Sequence, residues 1–181
     1  MTTTLVVPGL HGSEPEHWQT WFETRVRGCV RVHQADWRRP DLVTWAQPIR
    51  REIARAAGPV WIVAHSFGCL AAAQAGWDAS ERIAGAILVA PADPVHFGVA
   101  DLIPGGDVGF PSIVVASRND PWISFSRAAH LADRWGSDFL DLGRAGHINV
   151  AAGYGPWPGG LGIFELLRRG EKLLTGLHVA A

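Results

Sequence analysis

Hydrophobic positions along the chain fall into short continuous runs separated by stretches with helical spacing. Leu5 to Pro8 is an apolar strand, and Pro8-Gly9-Leu10-His11-Gly12-Ser13 after it is rich in turn formers. Trp18, Trp21, Phe22 and Val26 recur on one helix face that closes near Gly28. Val30 to His33 predicts a second strand. Leu42, Trp45, Ala46, Ile49 and Ile53 mark a second helix, and Pro48 inside that stripe predicts a late start or a kink. Gly58-Pro59 ends it. Pro59 to Ala64 is apolar throughout, as in a strand covered on both faces. A sharp turn at Ser66 leads into a small-residue helix reaching about Trp77. Ile83 to Ala90 is a fourth strand of the same kind. Pro91 to Pro111 is the longest irregular stretch, and its Phe97, Leu102, Ile103 and Phe110 predict a small lid over an apolar pocket. Ser112 to Ser117 is a fifth strand, 124–135 a helix and Asp138 to Leu142 a sixth strand. A Gly/Pro-rich loop from Gly143 to Gly160 precedes a last helix carrying Ile163, Phe164, Leu167 and Leu174, with a frayed tail.

Six alternations of strand and helix predict a mostly parallel, doubly wound α/β sheet with helices on both faces. At 181 residues, with 48% hydrophobic and 18% charged, the chain is expected to form one domain over 1–181 with no large cap. The net charge of −1 and the absence of any basic run beyond an arginine pair argue against a nucleic-acid partner. The N-terminus lacks the charged and apolar regions of a signal peptide, and no apolar run approaches a membrane span. A cytoplasmic protein with no membrane partner is the expectation. Cys29 and Cys69 are too few for a disulfide framework. None of C-x-x-C, H-x-x-x-H or H-E-x-x-H occurs, so no metal and no cofactor are expected.

In such sheets ligands bind beyond the carboxyl ends of the strands. Ser66 follows the third strand, Asp93 the fourth, Asp120 the fifth and His147 the sixth, so all four fall on one rim. A serine hydroxyl needs a base to become a nucleophile. A histidine can take its proton and return it to the leaving group, and a carboxylate holds the imidazole tautomer. Ser, Asp, His is the chain order of the α/β-hydrolase fold. Around the serine, Ala64-His65-Ser66-Phe67-Gly68 departs from the G-x-S-x-G elbow only at Ala64. The Phe67 N–H at the following helix terminus is one expected oxyanion donor. Leu10 is the expected second, with His11 as the alternative. His65, beside the nucleophile, is expected to pack or to support a neighbour. Asp93 and Asp120 both precede a proline, and the rim position alone leaves either as the acid.

The segments PGLHGS…HW, AHSFGC, LVAPADP, SRNDPW and GHIN…GYGPWPGG, spread over about Leu5 to Glu165, resemble one family. It is the group of small single-domain serine hydrolases of retinoblastoma-binding protein 9 and its bacterial relatives. The resemblance implies an α/β-hydrolase core without large cap. It also implies Ser66 as nucleophile, Asp120 as acid and His147 as base. The retinoblastoma-binding motif L-x-C-x-E is absent, so that partnership does not transfer.

The expected activity is that of a serine hydrolase cleaving a small ester or related acyl substrate. A binding module that keeps the fold, or an amidase or aminopeptidase using the same residues, is the alternative. His11, Phe97, Phe110, Trp122 and Trp157 are the expected pocket walls; Trp18, Trp21, Trp45 and Trp61 are expected in the core.

Overall fold

The computed structural model describes residues 2–171; Leu174 and the tail lie outside them. Six strands form one sheet: β1 (Thr4–Val7), β2 (Cys29–Arg31), β3 (Val60–His65), β4 (Ile83–Val89), β5 (Ser112–Ala116) and β6 (Asp138–Asp141). Every neighbouring pair is parallel, in the order β2-β1-β3-β4-β5-β6. The order reverses between β1 and β3, so a crevice opens where their carboxyl ends part.

The apolar runs of the inner strands follow from burial on both faces. Leu5, Val7, Ile62, Ala64, Ala86, Leu88, Val114 and Ala116 point to one core. The alternate residues Val6, Val63, Ile87, Val89, Ile113 and Val115 point to the other. Helices α2 (Leu42–Arg55), α3 (Phe67–Gly76) and α4 (Phe125–Trp135) cover the first face. Helices α1 (Trp18–Glu23) and α5 (Pro158–Arg168) cover the second. Trp18 and Trp45 are buried in these cores, whereas Trp21 and Trp61 are half-buried against the second.

Two helix expectations need correction. Helix α1 stops at Glu23 rather than near Gly28: the Arg25 and Val26 N–H groups turn back onto the Phe22 carbonyl, and Gly28 at φ +79° swings the chain into β2. Helix α2 starts at Leu42, not late, because Asp41 caps it by accepting from the Thr44 N–H at 3.0 Å. The helix then continues through Pro48. Burial of Leu42, Trp45, Ala46, Ile49 and Ile53 offsets the hydrogen bond that proline cannot donate.

The segment 91–111 contains one short 3-10 turn, Ala100–Leu102. Much of it folds down onto the sheet face, with Val99, Ile103, Val108 and Phe110 in the first core. Among the described residues no large cap stands over the sheet.

Candidate active site

Ser66 lies between β3 and α3 with φ 55° and ψ −126°, a region that side-chain-bearing residues rarely occupy. Its neighbours make the turn possible. A Cβ on Gly68 would lie 2.4 Å from the Pro8 carbonyl oxygen, and one on Gly9 would lie 2.8 Å from the Ser66 Cβ. Both positions therefore demand glycine. Ala64 stays fully buried in the strand, so the smallest side chain suffices where the usual motif has its first glycine.

The loops after β3, β5 and β6 bring three of the expected side chains together. His147 Nε2 is 2.9 Å from Ser66 Oγ. His147 Nδ1 is 3.0 and 2.9 Å from the two oxygens of Asp120. The Asp120 carboxylate is 1% exposed and also accepts from the Trp122 N–H. The two loops are tied to each other: Ser117 Oγ accepts from the Ala145 N–H, and Asn119 Oδ1 accepts from the Gly146 N–H, each at 2.9 Å. Asp93 is elsewhere. Its Oδ2 pairs with Arg127 Nε of α4 at 2.9 Å, and its Oδ1 accepts from the Val95 N–H.

A cleft of about 300 Å³ opens above Ser66. Leu10, His11, Gly12, Glu14, His17, His65, Phe97, Trp122, His147 and Asn149 line it. His11, Phe97 and Trp122 thus stand where the sequence puts them. Phe110 and Trp157 do not. Phe110 is in the first core beside Gly76, whose Cβ position lies 2.8 Å from its ring. Trp157 is on the opposite face, packed edge-on against Trp18 and over Gly160. The lid residues Leu102 and Ile103 are also away from the cleft, one exposed and the other buried. Glu14 is a wall that the sequence did not single out, and Asn149, two residues after the base, is one to which the sequence assigned no role; their place just past the oxyanion loop and the base was the available signal.

Between the two possible second oxyanion donors the backbone discriminates. The His11 N–H is engaged with the Trp37 carbonyl at 2.8 Å. The Leu10 N–H makes no backbone hydrogen bond among the described residues. Phe67 is the first residue of α3, so its N–H has no partner within the helix.

Residues 4–166 match the family model described as serine hydrolase. The chain belongs to the serine hydrolase family. A solved structure from Pectobacterium atrosepticum, described as a YdeN-like hydrolase, is 42% identical over 93% of this chain and 90% of that one, with a TM-score of 0.85. The ydeN gene product of B. subtilis is 19% identical over 93% of this chain and 100% of its own, with a TM-score of 0.79. A carboxylesterase of Bacillus cereus is 14% identical over 93% and 88%, with a TM-score of 0.61. The last two share the fold. Among curated proteins none matches. No helix among the described residues is long and apolar enough to cross a membrane.

Two further histidines of this hydrolase, both lining the cleft, pack at an angle, His17 against His65 and His65 against the base. His65 lies 4.9 Å from the His147 ring and 5.0 Å from the His17 ring, centroid to centroid. Its Nε2 lies 2.9 Å from the His147 carbonyl oxygen, a bond that requires an N–H there. Burial holds His65 well below the usual imidazole range. Burial, then Arg31 and His147, push His17 down to about 4. His17 Nδ1 caps α1 by accepting from the Gln19 N–H, which also needs the neutral ring.

Both shifts have the same consequence for stability. Between pH 6.5 and 4 the unfolded chain binds protons that the folded chain refuses, so stability falls as pH falls through that window. His17 alone accounts for a loss of up to about 3 kcal/mol by pH 4. Urea midpoints measured at pH 7 and pH 5 should show the drop. His17→Asn, which retains a capping side chain, should reduce it, leaving the part that belongs to His65.

Proposed function

We propose that this hydrolase cleaves a small carboxylic ester, or a related acyl compound, through an acyl-enzyme on Ser66. The observation that carries the reading is the continuous chain from Ser66 Oγ to His147 Nε2 and from His147 Nδ1 to the buried Asp120 carboxylate.

In this reading His147 removes the Ser66 proton as Oγ bonds to the substrate carbonyl carbon. The carbonyl oxygen becomes an oxyanion, met by the Phe67 and Leu10 N–H groups, each contributing roughly 3–4 kcal/mol to transition-state stabilisation. His147 then gives its proton to the departing alkoxide, and the C–O bond breaks. Water enters, His147 takes its proton, and the resulting hydroxide attacks the acyl carbon. Collapse of the second oxyanion breaks the bond to Oγ, which recovers the proton from His147. Asp120 fixes the tautomer and stabilises the imidazolium throughout.

The cleft volume is at the lower end for ligand sites, which favours a short acyl group against Leu10, Phe97 and Trp122. The resemblance to the retinoblastoma-binding protein 9 group supports the same roles. A cytoplasmic location belongs to this reading, and the free Cys29 and Cys69 suit a reducing compartment. A fluorophosphonate probe should label the native protein once, at Ser66, and a panel of p-nitrophenyl esters should be turned over best at short chain length. Native protein that takes no label would overturn the proposal.

One observation favours a second reading, an acyl substrate bearing an amine. Glu14 lines the cleft and makes no ion pair among the described residues, and no lysine or arginine lines the cleft beside it. Under this reading the p-nitrophenyl ester of alanine outcompetes that of propionate. Glu14→Gln should then reduce the ratio of the two kcat/KM values about fivefold, the size expected of an exposed charge pair, and added salt should do the same. An unchanged ratio removes the amine reading and leaves the ester reading intact.

A further inference from the structure

Gln19 sits in the first turn of α1, on the side of the sheet away from the elbow helix, and is fully buried. Its side chain lies over the carboxyl ends of the paired strands β1 and β3. Nε2 donates to the Val7 carbonyl at 3.2 Å and to the Val63 carbonyl at 3.0 Å. Oε1 accepts from Ser13 Oγ at 2.6 Å. A primary amide offers two N–H donors and an acceptor oxygen in one rigid plane, and here each has a partner. Two carbonyl acceptors on one side and a hydroxyl on the other also fix which way the amide faces.

The partners lie at meaningful places. Val7 ends β1, and the loop bearing the Leu10 N–H runs from there to Ser13. Gln19 therefore grips that loop at both ends. Its third bond goes to Val63, on the strand that delivers Ser66 three residues later. The middle of the loop has its own restraints: the Gly12 N–H turns back to the Gly9 carbonyl, and the His11 N–H reaches Trp37. Arg31 Nη1 donates to the Ser13 carbonyl at 2.9 Å. The sheet ladder joins β1 to β3 as far as Val7 and Ala64, and Gly9 packs against Ser66, so the start of the loop is already set against the nucleophile strand. Among these contacts it is the Gln19 amide that links the far end of the loop, at Ser13, to that strand.

We propose that Gln19 is a positioning residue that sets the oxyanion loop against the nucleophile strand, so that the Leu10 and Phe67 N–H groups converge on one point. The inference rests on the reading of those two groups as the oxyanion donors. Its physical basis is the narrow tolerance of the job. A donor must lie about 2.7–3.1 Å from the developing oxyanion, and a misplacement of about 1 Å can cost on the order of a hundredfold in rate. Gln19 touches neither substrate nor His147, so it acts through the loop alone.

The test uses the full chain, a short p-nitrophenyl ester and a small alkylboronic acid, whose tetrahedral adduct on serine mimics the oxyanion. Gln19→Met keeps length and burial but loses all three bonds. It should lower kcat about ten- to a hundredfold with KM within about threefold, and weaken boronate binding by the same factor as kcat/KM. The pH at which kcat reaches half its plateau, set by the base, should not move. A packing role predicts otherwise: a lower Tm, with kcat and boronate affinity of the folded enzyme within about twofold of wild type. That result overturns the proposal. Ser13→Ala decides the matter should the methionine variant not fold. It removes only the outer anchor and should cost kcat about three- to tenfold, with boronate affinity following; an unchanged kcat and affinity overturn the proposal. Wild-type protein that neither labels with fluorophosphonate nor hydrolyses the ester fails at the nucleophile, and both readings fall together. Loss confined to the Gln19 claim shows instead as an active wild type with indifferent variants.

Discussion

Alanine at position 66 will abolish fluorophosphonate labelling and lower ester turnover by on the order of 10⁴- to 10⁶-fold, while the protein stays folded. The second half of that expectation is what makes the first informative. Ser66 is the N-cap residue of α3, where a serine hydroxyl ordinarily caps the helix. Here it makes no capping bond; its Oγ is 2.9 Å from His147 Nε2 instead. Removing Oγ therefore takes nothing from the helix terminus. The backbone demands of the turn fall on Gly9 and Gly68, and an alanine Cβ occupies the place of the serine Cβ. A Tm near that of wild type, with labelling and turnover gone, is the expected pair of measurements. A variant that keeps more than about one percent of wild-type turnover would show that the hydrolysis runs through another group. The small residual rate that remains belongs to the oxyanion donors and to binding.

The backbone strain in this molecule is placed around that chemistry. Among the described residues the non-glycine positions with positive φ are His11, Ser66, Ala90 and Ile148. They lie in the oxyanion loop, at the elbow, just past β4 and directly after the base, all on the carboxyl rim of the sheet. Strain at such positions persists only where the surroundings over-determine the fold. The buried carboxyl halves of β3 and β4 and the hydrogen-bonded Gln19 amide supply that rigidity.

How much of this was legible in the sequence depends on the range of the forces involved. The inner strands were legible because burial on both faces leaves an unbroken apolar run, as in Ile62-Val63-Ala64. The rim rule placed Ser66, Asp93, Asp120 and His147 on one edge, which follows from topology alone. Which carboxylate meets His147 did not follow. That depends on Arg127, carried by α4, drawing Asp93 away. The failures at Phe110 and Trp157 have the same origin. An aromatic residue in a loop advertises burial, but the core it enters depends on how the loop folds back, and local pattern holds no record of that. Gln19 is the extreme case. One polar residue between Trp18 and Thr20 reads as the wet face of a helix. Its burial rests on carbonyls of two strands, Val7 of β1 and Val63 of β3, that only the folded sheet brings side by side beneath it.

Asp120→Asn should lower turnover by about 10⁴-fold, whereas Asp93→Asn should leave it within about threefold of wild type. The size of the first effect follows from the hydrogen bonds of the carboxylate. One oxygen of Asp120 accepts from the Trp122 N–H at 2.9 Å and can do so in the variant as well. That bond keeps the asparagine oxygen in place and turns its NH₂ toward His147 Nδ1, at the position now 2.9 Å away. The NH₂ can only donate, and at the position nearest Nδ1 it competes with the retained oxygen, 3.0 Å away, and favours a bare Nδ1 with the proton carried on Nε2. An Nε2–H facing Ser66 Oγ cannot accept the serine proton, and the base is lost without any change in shape. Asp93 faces the Arg127 guanidinium, 46% exposed, and never reaches the imidazole, so its substitution touches only a partly solvated ion pair. Steady-state rates of the two variants on one ester, each with its Tm, test the assignment. An Asp120→Asn enzyme near wild-type turnover beside an inactive but folded Asp93→Asn enzyme would reverse it.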